Sequence, residues 1–253
     1  MSANGSGKKT ITLHANIWTT ILMLIVFFVS GLSGQSTDIG TANPGNVPPA
    51  SSGETTDKIL QGRVIVVDPG HGGSDPGTIG YGHSTEAENV LAIAWDLKGM
   101  LEDAGATVIM TRQSNVNPAE GTPYANQTNG QLAARTAIAN YNNAEIFVSI
   151  HNDWNGNSNI SGTTSYYYHA HDWLLADSVQ KHLVSHVGSR DIGVKRGNFY
   201  VLRNTSMPSV LVEVGFLSNQ RESQLLSQAW YRTAAAKGIF YGIVDYYRQA
   251  GIV

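Results

Sequence analysis

The chain contains no cysteine, and its 253 residues include no long block of basic side chains. Without cysteine it can form neither disulfide bonds nor a thiolate metal site, so any metal ion must be held by histidine or carboxylate ligands. The formal net charge is -3. Nucleic-acid-binding proteins normally carry a basic stripe, and the lack of one argues against that class.

Charged residues make up only 14% of the chain and hydrophobic residues 42%, which at this length is sufficient for one globular domain with a tail. Lys8 and Lys9 precede an apolar stretch over 17–29 and a small-residue segment, a pattern typical of a secretory signal. The stretch is shorter than the ~20 apolar residues of a spanning helix. We expect a signal peptide over 1–34, with an uncleaved anchor as the alternative, and an exported protein in the extracellular space, cell wall or periplasm.

Residues 35–61 are rich in Ser, Thr, Gly, Pro and Asn and are predicted to form a flexible linker before a domain over 62–253. In this domain, apolar patterns predict strands that alternate with helices, which indicates an α/β domain with a mostly parallel sheet covered on both faces. The predicted strands are 63–67, 106–111, 145–150, 163–168 and 209–214, the helices are 86–103, 130–143, 171–187, 219–226 and 228–248, and a short pair of elements is expected near 192–202.

Three short β-branched runs end in residues that can serve a metal site. The first leads into D-P-G-H-G-G with His71, the second into His151 and the third into Glu213. Parallel strands bring the residues at their carboxyl ends to one edge of the sheet. A carboxylate in a run as apolar as that around Glu213 is costly to bury unless it is paired or near a metal. The pattern predicts a metal-dependent hydrolase.

The helix predicted over 86–103 opens with T-E-A-E and offers a further ligand. Thr85 and Glu88 form a capping-box pattern, which gives Glu88 a structural role at the helix start. Glu86 has no such role and is free to face the cleft, although the helix dipole also favours a carboxylate there. We prefer Glu86 over Glu88 as the ligand and rank His83 below both.

The remaining histidines are expected in structural or solvated positions. His169 and His171 are predicted to cap a strand-to-helix turn, although they could also clamp a metal. His182 and His186 share a helix face, but the segment lacks the glutamate of H-E-x-x-H, so a solvated surface is expected. Arg135, in the middle of a predicted helix, is likewise expected to be solvated.

Four segments occur in an order that resembles one enzyme family. They are V-V-D-P-G-H-G-G-S-D-P-G (66–77), T-E-A-E-N-V-L-A-I-A (85–94), S-I-H-N-D (149–153) and the segment 193–219 with V-L-V-E-V-G-F. Over about 63–248 the chain is similar to zinc-dependent N-acetylmuramoyl-L-alanine amidases, cell-wall amidases of the amidase-3 type. The resemblance implies a single three-layer α/β/α domain around a six-stranded sheet.

The resemblance also implies which residues act. One zinc ion would be held by His71, Glu86 and His151, and Glu213 would be the catalytic glutamate. Three protein ligands leave the fourth zinc position open for a water molecule, which would be the nucleophile. The reaction expected is hydrolysis of the amide bond between N-acetylmuramic acid and L-alanine, with Glu213 as general base and then general acid.

Further residues around the predicted centre have weaker signals. Asp68 could orient His71 without itself binding the metal, or could hydrogen-bond to the turn. Asn198, Arg203 and Asn204 are predicted to bind carboxylates or amides of the stem peptide, since an arginine fork suits a carboxylate. The long polar loop over 113–130 could border the substrate groove or be an ordinary surface loop.

The expected substrate is peptidoglycan, the glycan strand together with its stem peptide. The protein is expected to be a monomer that binds no nucleic acid and touches a membrane only through its N-terminal segment. Two alternatives stay open: a peptidoglycan-binding module without catalysis, which an intact Glu213 disfavours, and a zinc peptidase or deacetylase acting on another exported substrate. Asn152 stands where the family often has alanine, and the segment 152–162 is too short for the inhibitory helix of some division-associated members.

Overall fold

Six strands form one sheet in the computed structural model, which describes residues 58–253. Every strand predicted from the sequence is present, displaced by at most a few residues. The predicted signal peptide over 1–34 and the linker before residue 58 lie outside the described residues. The strands are β1 (Val64–Pro69), β2 (Thr107–Met110), β3 (Ile146–Asp153), β4 (Thr163–Tyr167), β5 (Asp191–Arg196) and β6 (Ser209–Phe216).

The helices also follow the prediction, and the one expected over 86–103 coincides with the first. The short pair expected near 192–202 is a strand and a helix, since segments this short do not reveal their type by periodicity. Among residues 58–253, no helix is both long enough and apolar enough to cross a membrane. The helices are α1 (Glu86–Asp103), α2 (Gly130–Tyr141), α3 (Trp173–Val187), α4 (Tyr200–Asn204), α5 (Gln220–Leu226) and α6 (Ala229–Gln249).

The sheet is mostly parallel and has the order β2-β1-β3-β6-β4-β5. The first four strands in this order run in one direction, whereas β4 is antiparallel to β6 and β5 is parallel to β4. The carboxyl ends of β1, β3 and β6 therefore lie side by side. In the register between β3 and β6, His151 is opposite Glu213.

Helices cover both faces of the sheet, as a strand buried on both sides requires. One face packs against α1, α3 and α6, and the other against α2 and α4. Side chains alternate between the faces, so Ile65 and Val67 join the larger core while Val66 and Asp68 point to the side of α2. This arrangement confirms the predicted three-layer α/β/α domain with a six-stranded, mostly parallel sheet.

The start of α1 fixes which glutamate enters the cleft. The hydroxyl of Thr85 accepts a hydrogen bond from the backbone N–H of Glu88 at 3.3 Å, which confirms the predicted helix cap. Glu86, the first residue of the helix, is buried, whereas the Glu88 side chain is exposed. The cap therefore sets the rotation of the helix and turns Glu86 inward.

A buried carboxylate joins four segments at the carboxyl edge of the sheet. Asp68 is fully buried and accepts hydrogen bonds from Thr111 Oγ1 at 2.6 Å, Ser149 Oγ at 2.7 Å and Arg135 Nη1 at 2.5 Å. Arg135 is only 1% exposed, so the expectation that it is solvated was wrong. The sequence of α2 did not reveal this position because the partner of Arg135 lies 67 residues away on β1.

The surroundings of Asp68 keep it ionised. Burial by itself would raise the pKa of this carboxyl group, but the Arg135 charge and the three hydrogen bonds outweigh burial and lower the pKa below its ordinary value. A buried ion pair of this kind is strongly destabilising when one partner is removed, since the remaining charge has no compensation. The pair is therefore a constraint on the local structure more than a source of net stability.

Substitution of Arg135 tests this constraint. Arg135→Met should lower the free energy of unfolding at pH 7 by about 3–5 kcal/mol, because it leaves the Asp68 charge buried and unpaired. The double variant Asp68→Asn/Arg135→Met should recover part of this loss in urea denaturation. Arg248→Met, which changes an exposed arginine of α6, is the matched control. Equal stability of the Arg135 and Arg248 variants would contradict the argument.

Candidate metal centre

Two histidines and a glutamate meet at the carboxyl edge of the sheet. Glu86 Oε1 lies 3.0 Å from His71 Nε2 and 2.9 Å from His151 Nδ1. One ligand atom from each of the three residues lies within 4.8 Å of the others, and residues 58–253 contain no second cluster of this kind. The structure thus brings together the three residues that the sequence analysis selected as metal ligands.

The Glu86 carboxylate is held by backbone donors as well as by the two imidazoles. Its Oε2 atom accepts a hydrogen bond from the Thr78 N–H at 2.9 Å, and its Oε1 atom accepts one from the Asn152 N–H at 3.0 Å. These two donors come from the loop after β1 and from β3. A carboxylate fixed in this way loses little freedom when it binds a cation.

His71 is oriented by a strained backbone and a second carboxylate. Its φ of 59° lies in the left-handed region, which residues with a side chain rarely adopt. Its Nδ1 atom lies 2.9 Å from Asp75 Oδ2, and its backbone carbonyl accepts a hydrogen bond from Arg135. With Nδ1 engaged by Asp75, Nε2 is directed to Glu86. A carboxylate on the second nitrogen is the usual support of a metal-binding histidine.

The residue that contacts the His71 ring is therefore Asp75, whereas the sequence left open whether Asp68 orients His71 or bonds to the turn. The Asp68 oxygens bond to Thr111, Ser149 and Arg135, and none bonds to the His71 ring. Asp68 supports His71 only indirectly, through Arg135. Asp75 stands four residues after His71 in the glycine-rich segment. The sequence shows that Asp75 is four residues from His71, but the direction of its side chain depends on how the chain turns between them.

Two glycines let the ligand side chains approach the backbone. The His151 ring occupies the space where a side chain at residue 70 would begin, so only Gly70 fits there. A Cβ atom at Gly77 would lie 2.6 Å from Glu86 Oε2 and 2.7 Å from His71 Cδ2, and Gly77 has a φ of 64°. Gly70 and Gly77 are therefore required by the space that the cluster occupies.

Arg112 is a further supporting residue that the sequence analysis missed. It is buried, and its guanidinium donates to the carbonyls of Pro69, Gly70 and Ala87 at 2.9, 2.6 and 2.9 Å. It thus joins the loop that carries His71 to the helix that carries Glu86. An arginine directly after a short strand gave no signal of this role.

The electrostatics of the cluster favour a cation. Burial by itself would raise the pKa of Glu86, but hydrogen bonds and charge from His151 and His71 lower the pKa well below its usual range. Burial likewise would lower the pKa of His71, yet Glu86 and Asp75 raise it. The cluster therefore holds a carboxylate and attracts positive charge, which a proton supplies when no metal is bound.

The donors fit a zinc ion. Two imidazole nitrogens and one carboxylate oxygen form the His₂Glu set of catalytic zinc sites, whose ligands lie about 2.0–2.2 Å from the metal. Ligand atoms at such distances from one ion lie about 3.3 Å apart in a tetrahedral arrangement. The separations of 3.0 and 2.9 Å are close to that value. Gly70 and Gly77 leave the room that the three ligand side chains occupy.

Glu213 lies next to this cluster in a different environment. It projects from β6 opposite His151, is 9% exposed, and its Oε2 atom has no hydrogen-bond partner among the described residues. Burial, followed by the charges of Glu86 and Asp153, raises the pKa of Glu213 well above its usual range. A carboxyl group with an unused oxygen and a high proton affinity can accept and return a proton.

A cavity of about 370 Å³ opens beside the cluster, towards α2 and α4. His71, His151 and Glu213 contribute to its wall, with Tyr200 and Asn129 among the other lining residues. The loop over 113–130 therefore does border the cavity through its last residues.

The predicted peptide-binding residues do not line this cavity. Arg203 instead donates to Asn198 Oδ1 at 2.5 Å, and Asn204 donates to the Tyr200 carbonyl at 2.8 Å, both at the surface. The stretch 198–204 forms a helix after Phe199, which directs Phe199, Tyr200 and Val201 inward instead. The predicted segment thus lies at the cavity, whereas the binding of stem-peptide groups by Asn198, Arg203 and Asn204 stays a prediction.

The other histidines take the structural positions expected for them. His169 caps the turn before α3 together with Asp172, which accepts from its backbone N–H at 2.7 Å. His182 and His186 lie at the surface of α3 beside Tyr241. Neither pair belongs to the metal-ligand cluster.

The raised pKa of Glu213 should cost stability in the metal-free protein at neutral pH. Below pH 4.5, its ordinary pKa, both folded and unfolded chains hold the proton. As the pH rises, the unfolded chain releases the proton before the folded chain, so the free energy of unfolding falls. Glu213→Gln should therefore stabilise the chelated protein at pH 7 by on the order of 1 kcal/mol.

The difference in the free energy of unfolding between Glu213→Gln and the wild type should vanish below pH 4.5. Urea denaturation of both proteins across pH 4–8 measures it. Glu120→Gln, which changes an exposed glutamate, is the control, and its free energy of unfolding should equal that of the wild type at every pH. If Glu213→Gln were less stable than the wild type at pH 7, the Glu213 carboxylate would have to make a stabilising contact, which would contradict the argument.

Residues 65–245 match the Amidase_3 family, described as N-acetylmuramoyl-L-alanine amidase. An uncharacterised cell wall amidase of Bacillus anthracis is 37% identical over 205 residues, which cover 76% of this chain but only 37% of that protein. The germination-specific N-acetylmuramoyl-L-alanine amidase of Bacillus subtilis (strain 168) is 36% identical over 197 residues, covering 76% of this chain and 83% of the relative.

A solved structure shows the same architecture. The catalytic domain of CwlV, an N-acetylmuramoyl-L-alanine amidase from Bacillus (Paenibacillus) polymyxa var. colistinus, superimposes with a TM-score of 0.66 at 31% identity, covering 76% of this chain and 99% of that domain. The family match, the curated relatives and the solved structure agree. The chain belongs to the Amidase_3 family of N-acetylmuramoyl-L-alanine amidases.

Proposed function

We propose that this domain hydrolyses the amide bond between the lactyl group of N-acetylmuramic acid and the L-alanine of the stem peptide in peptidoglycan. The observation that carries the proposal is the position of Glu213 beside the His71, Glu86 and His151 cluster in a chain of this family. A set of metal ligands next to an unpartnered carboxylate is what metal-assisted amide hydrolysis requires.

One zinc ion is the proposed cofactor, with His71, Glu86 and His151 as its ligands. When bound, zinc supplies a Lewis acid for the amide carbonyl and lowers the pKa of a water molecule to about 7. The two nitrogen donors support zinc over magnesium or calcium, which prefer oxygen ligands. The low pKa of Glu86 provides the ionised carboxylate that ligation needs.

Glu213 is proposed to act as general base and then as general acid. Its carboxylate takes a proton from the water whose oxygen bonds to the amide carbon, and it then gives this proton to the leaving nitrogen of L-alanine. The carbon–nitrogen bond breaks as the nitrogen gains the proton. The products are a muramoyl carboxylic acid and a stem peptide with a free amino terminus. The unpartnered Oε2 atom supports this role, because no protein group competes for it.

Asp75 and Asp68 are proposed to hold the cluster in place during this reaction. Asp75 engages Nδ1 of His71 at 2.9 Å and so keeps Nε2 available for ligation. Asp68 fixes Arg135, which in turn bonds to the backbone of His71. Both carboxylates act through other residues and are positioning groups.

Export to the wall is also part of the proposal. Residues 1–34 would direct export or anchor the protein, residues 35–61 would be a tether, and residues 62–253 would be the catalytic domain. The basic and apolar pattern of the N-terminus supports this division. The relatives described as cell wall and germination-specific amidases support a substrate outside the cytoplasm.

Metal removal tests the proposed activity directly. With purified peptidoglycan, the full chain should release stem peptides that begin at L-alanine, identified by mass spectrometry. Chelation should abolish the release and added zinc should restore it. Glu86→Ala should weaken zinc binding by at least about tenfold. Glu88→Ala, the exposed glutamate of the same helical turn, should bind zinc and hydrolyse peptidoglycan like the wild type.

Other products would overturn the proposal. Cleavage between two amino acids would make the protein a zinc peptidase. Retention on intact peptidoglycan with no release of peptides would make it a binding module. Full activity after complete removal of the metal would exclude the proposed zinc chemistry.

Substitution of Glu213 separates catalysis from metal binding. Glu213→Gln should lower kcat by about 10²–10⁴-fold, the usual contribution of general acid–base catalysis, while the zinc content measured by atomic absorption stays unchanged. Glu120→Gln, on an exposed loop, should have wild-type kcat. Retained turnover in the Glu213 variant with zinc bound would remove this residue from the mechanism.

A further inference from the structure

A second groove is lined by loops that adjoin the ligand segments along the chain, and it shares no lining residue with the cavity near α2 and α4. It has a volume of about 330 Å³, and we call it the aromatic groove. Nothing in the mechanism above uses it. Its principal lining residues are Ile79, Tyr81, Trp154, Asn155, Ser158 and Leu217.

The groove exposes three large side chains to solvent. Ile79 is 60% exposed, Tyr81 48% and Trp154 61%. A single exposed apolar side chain is ordinary, but a cluster rimmed by polar groups marks a binding surface. Tyr and Trp are suited to this because they offer a large contact area at a small cost in conformational entropy.

The loops that carry these side chains are held by specific hydrogen bonds. The Tyr81 N–H donates to Ser223 Oγ at 2.8 Å, the Trp154 N–H donates to Asp153 Oδ1 at 2.7 Å, and the Asn155 N–H donates to Ser218 Oγ at 3.0 Å. The bonds to Ser223 and Ser218 join the two walls of the groove to neighbouring segments, and the bond to Asp153 fixes the start of the loop after β3. The groove is therefore formed before any ligand binds.

Both walls of the groove continue directly from the metal-ligand cluster. Trp154 is three residues after His151, so their Cα atoms are at most about 11 Å apart. On the other wall, Ile79 follows Thr78, whose N–H bonds to Glu86 Oε2. A chain-like substrate with its scissile bond at the cluster can therefore extend into the groove.

The chemistry of the groove favours an uncharged, polyhydroxylated chain. No charged side chain is among its lining residues, and the polar groups present are hydroxyls and amides, including Asn155, Ser158 and Ser218. Sugar rings offer C–H faces that pack on aromatic rings and hydroxyl and acetamido groups that bond to amides. A stem peptide carries carboxylates, for which this groove offers no cation.

We propose that the aromatic groove binds the glycan strand next to the muramoyl unit at the cluster, with Trp154 and Tyr81 stacking on sugar rings. This inference rests on the proposed function, because the glycan is the part of that substrate which extends from the scissile bond. It assigns polymer recognition to side chains that take no part in the bond cleavage.

Binding of peptide-free glycan strands to the full chain tests the groove without any need for catalysis. Isothermal titration calorimetry should show that Trp154→Ala weakens binding by about tenfold, whereas Trp154→Phe largely retains it. Trp173→Ala is the matched control, since Trp173 is 48% exposed but begins α3 after β4, at the opposite edge of the sheet. This control should bind like the wild type.

Hydrolysis of two substrates gives a second measurement. On long peptidoglycan strands, Trp154→Ala should raise KM by about tenfold with little change in kcat. On a soluble monomeric muramoyl peptide, its kcat/KM should stay within about twofold of the wild type, because the monomer does not reach the groove. Tyr81→Ala provides an independent variant, and zinc content verifies that each variant is folded.

The outcomes separate this inference from the proposed function. Unchanged affinity for glycan strands in both aromatic variants would overturn the groove assignment, even if the wild type is an active amidase. An equal loss on monomer and polymer would also overturn it, since the rings would then support the cluster itself. A wild type that binds glycan through Trp154 but releases no peptide would overturn the amidase proposal and leave the groove assignment standing.

Discussion

The buried ion pair between Asp68 and Arg135 is the constraint on which the carboxyl edge of this domain depends. The carboxylate also bonds to Thr111 and Ser149, so one buried charge joins β1, the end of β2, β3 and α2. Arg135 extends the connection to the backbone of His71, whose left-handed conformation needs such support. A polar network without unsatisfied members fixes one arrangement, whereas apolar packing alone would tolerate several.

Two glutamates a short distance apart are given opposite properties by their surroundings. Glu86 is surrounded by imidazoles and backbone N–H groups, which lower its pKa and suit it to bind a cation. Glu213 is buried with one oxygen unpartnered, and its pKa is raised. Carboxyl groups whose pKa values are pushed apart can divide the roles of ligand and proton carrier. The two carboxyl groups differ because hydrogen-bond donors surround Glu86, whereas Oε2 of Glu213 has none among the described residues.

The reversal of strand direction between β6 and β4 determines which loops can build the site. The carboxyl ends of β1, β3 and β6 lie together, while β4 ends at the opposite edge. The loop after β1, the start of α1 and the end of β3 therefore provide the ligands, and the loops after β1, β3 and β6 line the aromatic groove. The larger cavity opens on the side of α2 and α4. The ligand cluster and the aromatic groove thus share neighbouring segments of the chain.

The sequence by itself determined the strands, the helices, the fold class and the cluster of His71, Glu86 and His151, because hydrophobic periodicity, helix capping and the order of motifs are local signals. It did not reveal that Arg135 is buried, that Asp75 rather than Asp68 contacts the His71 ring, or that Phe199 and Tyr200 face the cavity instead of Asn198, Arg203 and Asn204. Only the tertiary structure decided these points, since each depends on which side chain a distant segment presents at the same place. A pattern along the chain records the periodicity of one element, but a contact between elements depends on the packing of two.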